Sequence, residues 1–218
     1  MKQLKNIKKK LEWEQYYNPD FNWHNPTFYK NNKLSEDFIR EFNDKIDWWP
    51  ISEYQKLSED FIREFKDNVN WYYISKYQTL SEKFIKEFKD KVDWSYISIH
   101  QKLSEDFIRE FKDKVNWMYI SGYQKLSENF IRKFKDRVNW YYISKYQKLS
   151  EDFIREFQKK VDWEEISINQ KLSENFIRKF KKKVNWFWLS VFQTKTLSED
   201  FKEEFKKELE VKKELDIL

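Results

Sequence analysis

Little in this 218-residue chain is equipped for bond-making chemistry. Its two histidines, His24 and His100, are far apart in sequence, and there is no cysteine. A thiolate nucleophile, a disulfide and a cysteine-based zinc site are excluded together, and no metal or other cofactor is expected. A single glycine, Gly122, excludes a glycine-rich phosphate loop. Adjacent carboxylates such as Glu36–Asp37 and Glu59–Asp60 could in principle share acid–base work, but they recur at the same place in most of a series of near-identical segments. A catalytic pair needs one environment that pushes two pKa values apart, and repeated equivalent pairs do not supply it. The recurring serines have no histidine or other base beside them. The chain is expected not to be an enzyme.

Recognition chemistry, by contrast, is abundant. Aromatic residues make up 20 % of the chain and charged residues 37 %, with a net charge of +5. Disordered segments are poor in aromatics, so a folded protein is expected despite a mean hydropathy of −1.00. No apolar run approaches the roughly 18 residues of a membrane span. The lysine-rich start (Lys2, Lys5, Lys8, Lys9, Lys10) lacks the apolar stretch of a signal peptide. A cytoplasmic protein with no membrane partner is expected.

The elements that position these side chains follow from a repeat. Leu-Ser-Glu begins at Leu34, Leu57, Leu80, Leu103, Leu126, Leu149, Leu172 and Leu197, at steps of 23 residues except the last, which is longer by Thr194 and Lys195. A fixed period of this size marks a solenoid or array. Counting from each leucine as position 1, the serine at position 2 is an N-cap, and Glu36 and its equivalents at position 3 suit the helix dipole. Phe38, Ile39, Phe42 and Ile46 then share one face of a first helix about eleven residues long. Arg40 lies one turn after Glu36, as an ion pair on that helix. Asp47 through Asn185, at position 14, are second N-caps, followed by a short second helix whose Trp48, Ile51 and Gln55 share a face with Ser52 at its edge.

One such unit is too small to bury its large apolar residues, so neighbours must stack. The expected fold is all-α: an α-solenoid of seven complete two-helix repeats over residues 34–196, with N- and C-terminal helical caps. Residues 1–33 read as a basic amphipathic helix and a degenerate half-repeat. Residues 197–218 read as a capping helix, one longer helix from Glu199 to about Leu215, because Glu210 and Val211 replace the second N-cap and the tryptophan.

The consensus LSEDFIREFKDKVxWxxIS, with LSEDFIREF unaltered at Leu34, Leu57, Leu103 and Leu149, resembles tandem repeats of uncharacterised proteins from AT-rich giant viruses and phages. The resemblance covers Leu34 to about Phe205. It is similar in architecture to the short α-solenoid class, which includes the leucine-rich variant repeat. It implies a helical repeat protein and carries no activity or site residues. The chain's wealth of Lys, Asn, Phe, Tyr and Ile, and its lack of alanine, fit an AT-rich source.

Comparison among the repeats separates frame from surface. Positions 15, 18, 19 and 22 barely change, whereas positions 16, 17, 20 and 21 of the second helix vary most. Position 16 carries Trp49, Tyr72, Met118 and Tyr141, and position 20 carries Lys76, Ile99, Gly122 and Lys145; four residues apart, they share a strip of helix. Tyrosine dominates positions 17 and 21, where it either joins that face or tiles adjacent second helices. A variable Tyr-rich face on a fixed frame suits protein binding. The smaller or non-aromatic residues Ser95, Ile99, Met118 and Gly122 suggest a shallow depression bracketed by Tyr72/Lys76 and Tyr141/Lys145; duplication within the array accounts for the pattern equally well. The apolar strip Phe187, Trp188, Val191 and Phe192 is either covered by the terminal helix or is a contact with a partner or a second copy.

The expected function is therefore a non-enzymatic scaffold that binds another protein, in the role of a viral or phage factor that engages or inhibits a host protein. The alternative is single-stranded RNA binding, with Arg178, Lys179, Lys181, Lys182 and Lys183 as the phosphate-facing residues. Against it, the most basic repeats, at +4 (126–148) and +5 (172–196), are separated by one at −2, where a phosphate track would keep one sign.

Overall fold

The computed structural model describes residues 14–210, which fall into two compact units, one ending at Asp93 and the other beginning at Trp94. Both are built from pairs of short helices, and there is no strand among the described residues. The first unit contains the pairs Glu36–Glu41 with Trp48–Tyr54 and Glu59–Glu64 with Trp71–Tyr77, then Glu82–Glu87. In the second unit, Trp94–His100 is followed by four pairs that run from Glu105–Glu110 with Trp117–Tyr123 to Glu174–Lys179 with Trp186–Phe192. Each second helix packs on the next within its unit. This is the architecture of a helical solenoid.

Helices of six or seven residues have no stability of their own. Caps and packing hold them. All eight position-2 serines, from Ser35 to Ser198, accept the N–H three residues on at 3.2 Å. Asp47, Asn70, Asn116, Asn139, Asp162 and Asn185 cap their second helices by accepting the N–H two or three residues on. The isoleucines at positions 6 and 18 are fully buried, as are most of the phenylalanines at position 5. The position-15 tryptophans are half-buried. Trp48 packs on Phe65 of the next repeat at 4.9 Å, and Trp140 on Phe157 at 4.9 Å, while their ring N–H groups donate to the carbonyls of Asn43 and Lys135.

The first helix is shorter than the eleven residues expected. It ends after six because the phenylalanine at position 9 leaves helical geometry (Phe42 at φ −112°, ψ 23°). The Phe42 carbonyl then accepts from both Lys45 and Ile46, closing a separate turn. The competing interaction is tertiary. The N–H of position 14 donates to a hydroxyl of the preceding repeat (Asn70 to Ser52 Oγ, 2.9 Å) and not back along a continuing helix.

A buried polar ladder joins the repeats. In the first unit, Gln78 Nε2 donates to the carbonyls of Ser52 and Gln55, and its Oε1 accepts from Leu57 N–H at 3.0 Å. Gln124, Gln147, Gln170 and Gln193 repeat all three bonds in the second unit. The amide thus satisfies carbonyls left over at a helix C-terminus, which would otherwise be buried without a partner. The position-3 glutamate has a second use beyond the dipole: Glu36 Oε1 accepts from Ser58 N–H of the next repeat at 2.7 Å.

At the N-terminal end, Pro26–Asn31 occupies the place of a second helix. Tyr29 stands in for the ladder serine, accepting from Asp47 N–H at 2.9 Å, and Gln55 donates to the carbonyls of Tyr29 and Asn32. Tyr16, Phe21, Trp23 and Phe28 pack around Phe38 and Phe42 as an aromatic plug. Most of the basic helix expected before Tyr17 lies outside the described residues. At the other end, two short helices, Glu199–Glu204 and Lys206–Leu209, replace the single long helix expected from Glu199, because Phe205 makes the same break as Phe42 (φ −112°, ψ 31°). With no N-cap side chain at position 14, Glu210 N–H does bond within the helix, to Lys206. Residues beyond 210 lie outside the description. The inserted Thr194 and Lys195 are absorbed in a 3-10 turn.

Candidate functional site

The buried face of each second helix is fixed by Trp, Ile, Ser and Gln, which leaves positions 16, 17, 20 and 21 outside that face, although Pro50 and Glu165 at position 17 are buried all the same. Among the described residues, every large exposed apolar side chain except Tyr17 lies on a second helix: Trp49, Tyr54, Tyr72, Tyr77, Met118, Tyr123, Tyr141, Tyr146, Val191 and Phe192. These are positions 16 and 21, with Val191 at position 20. The sequence pairing of 16 with 20 as the free strip is therefore only half reproduced. Position 20 (Lys76, Ile99, Gly122, Lys145) is half-buried, and so is tyrosine at position 17, whereas tyrosine at position 21 is exposed.

The reason lies at the joints. The position-17 side chain leans onto the preceding repeat. Tyr73 meets the Trp49 ring edge-on at 5.8 Å, Glu165 lies 3.4 Å from Lys145 Nζ, and Trp188 Nε1 donates to Glu164 at 3.0 Å. Identity at 17 and 21 was legible; the lean that separates their fates is a property of packing across repeats. Tyr77, Tyr123 and Tyr146 are accordingly exposed residues that the sequence pairing passed over.

Gly122 is half-buried beside two tyrosines of the next repeat. A Cβ there would lie 3.4 Å from Cδ1 of Tyr142 and 3.6 Å from Cδ2 of Tyr146, so both rings flank the position at ordinary contact distance. The depression expected between Tyr72/Lys76 and Tyr141/Lys145 draws on both compact units. Within the first, Lys76 Nζ lies over the rings of Tyr72 and Tyr77 at 5.9 and 4.9 Å. Within the second, Lys145 Nζ lies over Tyr141 and Tyr146 at 5.2 and 5.7 Å. Its hydrogen bond with Tyr141 Oη, followed by the Glu165 carboxylate, pushes the Lys145 pKa above the ordinary lysine value. Each lysine is thus held against tyrosine faces by a cation–π contact. Met118 and Ile99 lie on this second-unit surface, exposed and half-buried respectively.

Equivalent notches of about 380 Å³ open at the ends of successive second helices, one lined by Tyr54, Leu57, Tyr77 and Thr79, the other by Tyr146, Leu149, Asn169 and Lys171. Phe187, Trp188 and Phe192 form a run of ring contacts at 4.7 and 5.7 Å. Phe187 and Trp188 are half-buried, while Phe192 is 55 % exposed.

Of the basic residues, Arg178 is paired with Glu204 at 2.8 Å and Glu174 at 3.6 Å, and Lys183 bonds to Gln158. Lys179, Lys181 and Lys182 are all exposed. His24 and His100 are exposed, and His100 stacks on Tyr96 at 5.9 Å. Among the described residues no three His, Asp or Glu side chains converge as a metal site, and no helix is long and apolar enough to cross a membrane.

Stacked helix pairs, a buried amide ladder and exposed aromatics on the second helices define a helical-repeat protein of the α-solenoid class. No family model, no curated protein and no solved structure matches the chain.

Proposed function

We propose that this chain is a non-enzymatic scaffold that binds another protein through the aromatic face of its second helices. The observation that carries the reading is the gathering of exposed Trp, Tyr, Met and Phe on those helices, at the positions that vary between repeats. Rigid aromatic side chains give large contact area for little lost entropy and keep a polar tip for orientation. Trp49, Tyr72 and Tyr77 would contribute from the first unit. Met118, Tyr141, Tyr146, Phe187, Trp188 and Phe192 would contribute from the second, with Lys76 and Lys145 adding charge. Composition and motif resemblance support a finer reading as a viral or phage factor acting on a host protein in the cytoplasm. The Phe187–Trp188–Phe192 strip is the candidate contact for a second copy.

The test is capture from host lysate by the tagged chain, with and without nuclease, beside a Tyr141→Ser/Tyr146→Ser variant. A stoichiometric protein that survives nuclease and is lost from the variant, with helicity unchanged, supports the reading. Loss of every partner on nuclease, or equal capture by the variant, overturns it.

A further inference from the structure

Successive first helices are joined by a second ladder, this one of charge. The arginine at position 7 donates through Nε to the glutamate at position 8 of the next repeat: Arg40 to Glu64, Arg63 to Glu87, Arg132 to Glu156 and Arg178 to Glu204, each at 2.8 Å. In these rungs the guanidinium carbon lies 4.9 to 5.0 Å from the centre of the next repeat's phenylalanine ring. Two rungs are inverted. Position 8 is Lys133 after Arg109 and Lys179 after Arg155, so a cation stands where the acceptor should be. Arg109 Nε and Arg155 Nε are buried and have no hydrogen-bond partner, the two such side-chain atoms among the described residues. Their guanidinium carbons stand further from Phe130 and Phe176, at 5.9 and 6.0 Å. Each arginine keeps a bond through Nη1 to the aspartate of its own helix, Asp106 or Asp152.

At Arg155 the inverted rung borders an open cavity of about 460 Å³, lined by Arg155, Gln158, Arg178, Lys179 and Lys181 to Lys183. Arg178 is committed to Glu204 and Glu174, and Lys183 to Gln158. The group that would complete this joint is an acceptor carrying negative charge.

We propose that the Arg155–Lys179 joint is a phosphate-binding site, in which a phosphomonoester takes the place that glutamate holds in the intact rungs. A phosphomonoester carries close to two charges at neutral pH and accepts several charge-assisted bonds, matching an arginine with Lys179, Lys181 and Lys182 around it. A nucleic-acid backbone fits less well. The other inverted rung, at Arg109, is separated from this one by the intact Arg132–Glu156 rung, whose carboxylate interrupts the track that a polyphosphate follows. The site lies on the first helices and the turns that follow them, and stands independently of the aromatic face.

The experiment is a titration of the full chain, read by the nitrogen–proton resonances of the arginine Nε groups. The probes are inorganic phosphate, a phosphoserine peptide, its unphosphorylated form and a single-stranded RNA. The Arg155 signal, assigned by its loss in Arg155→Lys, is expected to shift with phosphate and with the phosphopeptide but not with the unphosphorylated peptide. Tighter binding of the phosphopeptide identifies a phosphoprotein as the source; equal affinity identifies free phosphate. Lys179→Glu closes the rung, so it is expected to weaken phosphate by about tenfold or more while the melting temperature holds or rises. An unmoved Arg155 signal, undiminished binding by Lys179→Glu, or RNA preferred over the phosphopeptide would each overturn the proposal.

Discussion

Gln78 reaches back across the joint between repeats to donate to the carbonyl of Gln55, one period earlier in the chain, at 2.7 Å. Gln55 makes the corresponding contacts with Tyr29 and Asn32. The same side-chain type at the same position is therefore both donor and, through its backbone, acceptor, and each new repeat finds the polar partner it needs on the one before. In a solenoid, stability is held largely at such nearest-neighbour interfaces. Hydrophobic burial here would be non-directional by itself. The amide, with its fixed donors and acceptor, sets the register in which Trp, Phe and Ile meet the next repeat.

Replacing Gln147 tests that role. Gln147→Ala would strand the N–H of Leu126 and the carbonyls of Ser121 and Gln124, which the amide now satisfies at 3.1, 2.9 and 2.8 Å. Leaving buried backbone groups unpaired should cost about 2–4 kcal/mol, allowing for partial relaxation. Gln147→Glu should be worse at neutral pH, because a carboxylate cannot donate to two carbonyls and its charge is buried. Chemical denaturation of both variants beside the wild type measures the order; a Gln147→Glu variant as stable as the wild type would remove the ladder from the account.

Gly122 sits inside a seven-residue helix with ordinary right-handed backbone, where glycine has no conformational advantage. An alanine Cβ would reach Tyr142 at van der Waals distance without displacing it. Gly122→Ala should therefore stabilise the chain by up to about 1 kcal/mol, from helix propensity and lost chain entropy. Gly122→Tyr should instead destabilise it, since its ring must push Tyr142 and Tyr146 aside. Melting curves of the two variants should move in opposite directions.

Much of this was legible in the sequence, and what was missed has a common cause. The serine and Asp/Asn caps were readable because a cap is satisfied within four residues. The period, the core positions and the tandem helix pairs followed from spacing. The early end of the first helix at Phe42 was not readable, because the bond that competes with a longer helix comes from the repeat before. The roles of Ser52 and Gln55 showed only as unchanging positions, since their partners lie 18 to 26 residues away. At the candidate site, the variable positions were visible, but whether tyrosine at 17 or at 21 is exposed depends on a side chain leaning across a joint. Likewise, the change from FIRE to FIRK reads as a surface charge swap until Arg155 is seen to require an acceptor there.

The tryptophans offer a graded test of the same joints. Trp140 combines a ring contact with Phe157 at 4.9 Å and an Nε1 donation to the Lys135 carbonyl at 2.9 Å. Trp140→Phe keeps part of the ring contact and loses the hydrogen bond, and should cost about 1–2 kcal/mol. Trp140→Ala loses both and should cost about 3–5 kcal/mol. The interval between the two, read from denaturant midpoints, separates packing from hydrogen bonding; equal losses would assign the whole contribution to the ring N–H.

Tyr29 carries a pH dependence whose sign can be worked out. Its side chain is buried, its hydroxyl donates to the Trp23 carbonyl at 2.6 Å, and it accepts from Asp47 N–H. Burial pushes its pKa above the ordinary tyrosine value of about 10, against the opposing pull of the Asp47 N–H. The neutral phenol is therefore the form the fold favours. Its contribution is fully present below the unfolded pKa, and it falls away as pH rises through the higher, folded value, because the unfolded chain ionises first. Tyr29→Phe removes both hydrogen bonds and should be less stable at neutral pH by about 1–3 kcal/mol. The gap between wild type and variant should narrow above about pH 10, where only the wild type has this phenol to ionise. Denaturation of both proteins across that range makes the comparison while cancelling the other tyrosines. A gap that stays constant or widens would mean that the phenol at the first joint ionises no less readily in the folded chain than in the unfolded one.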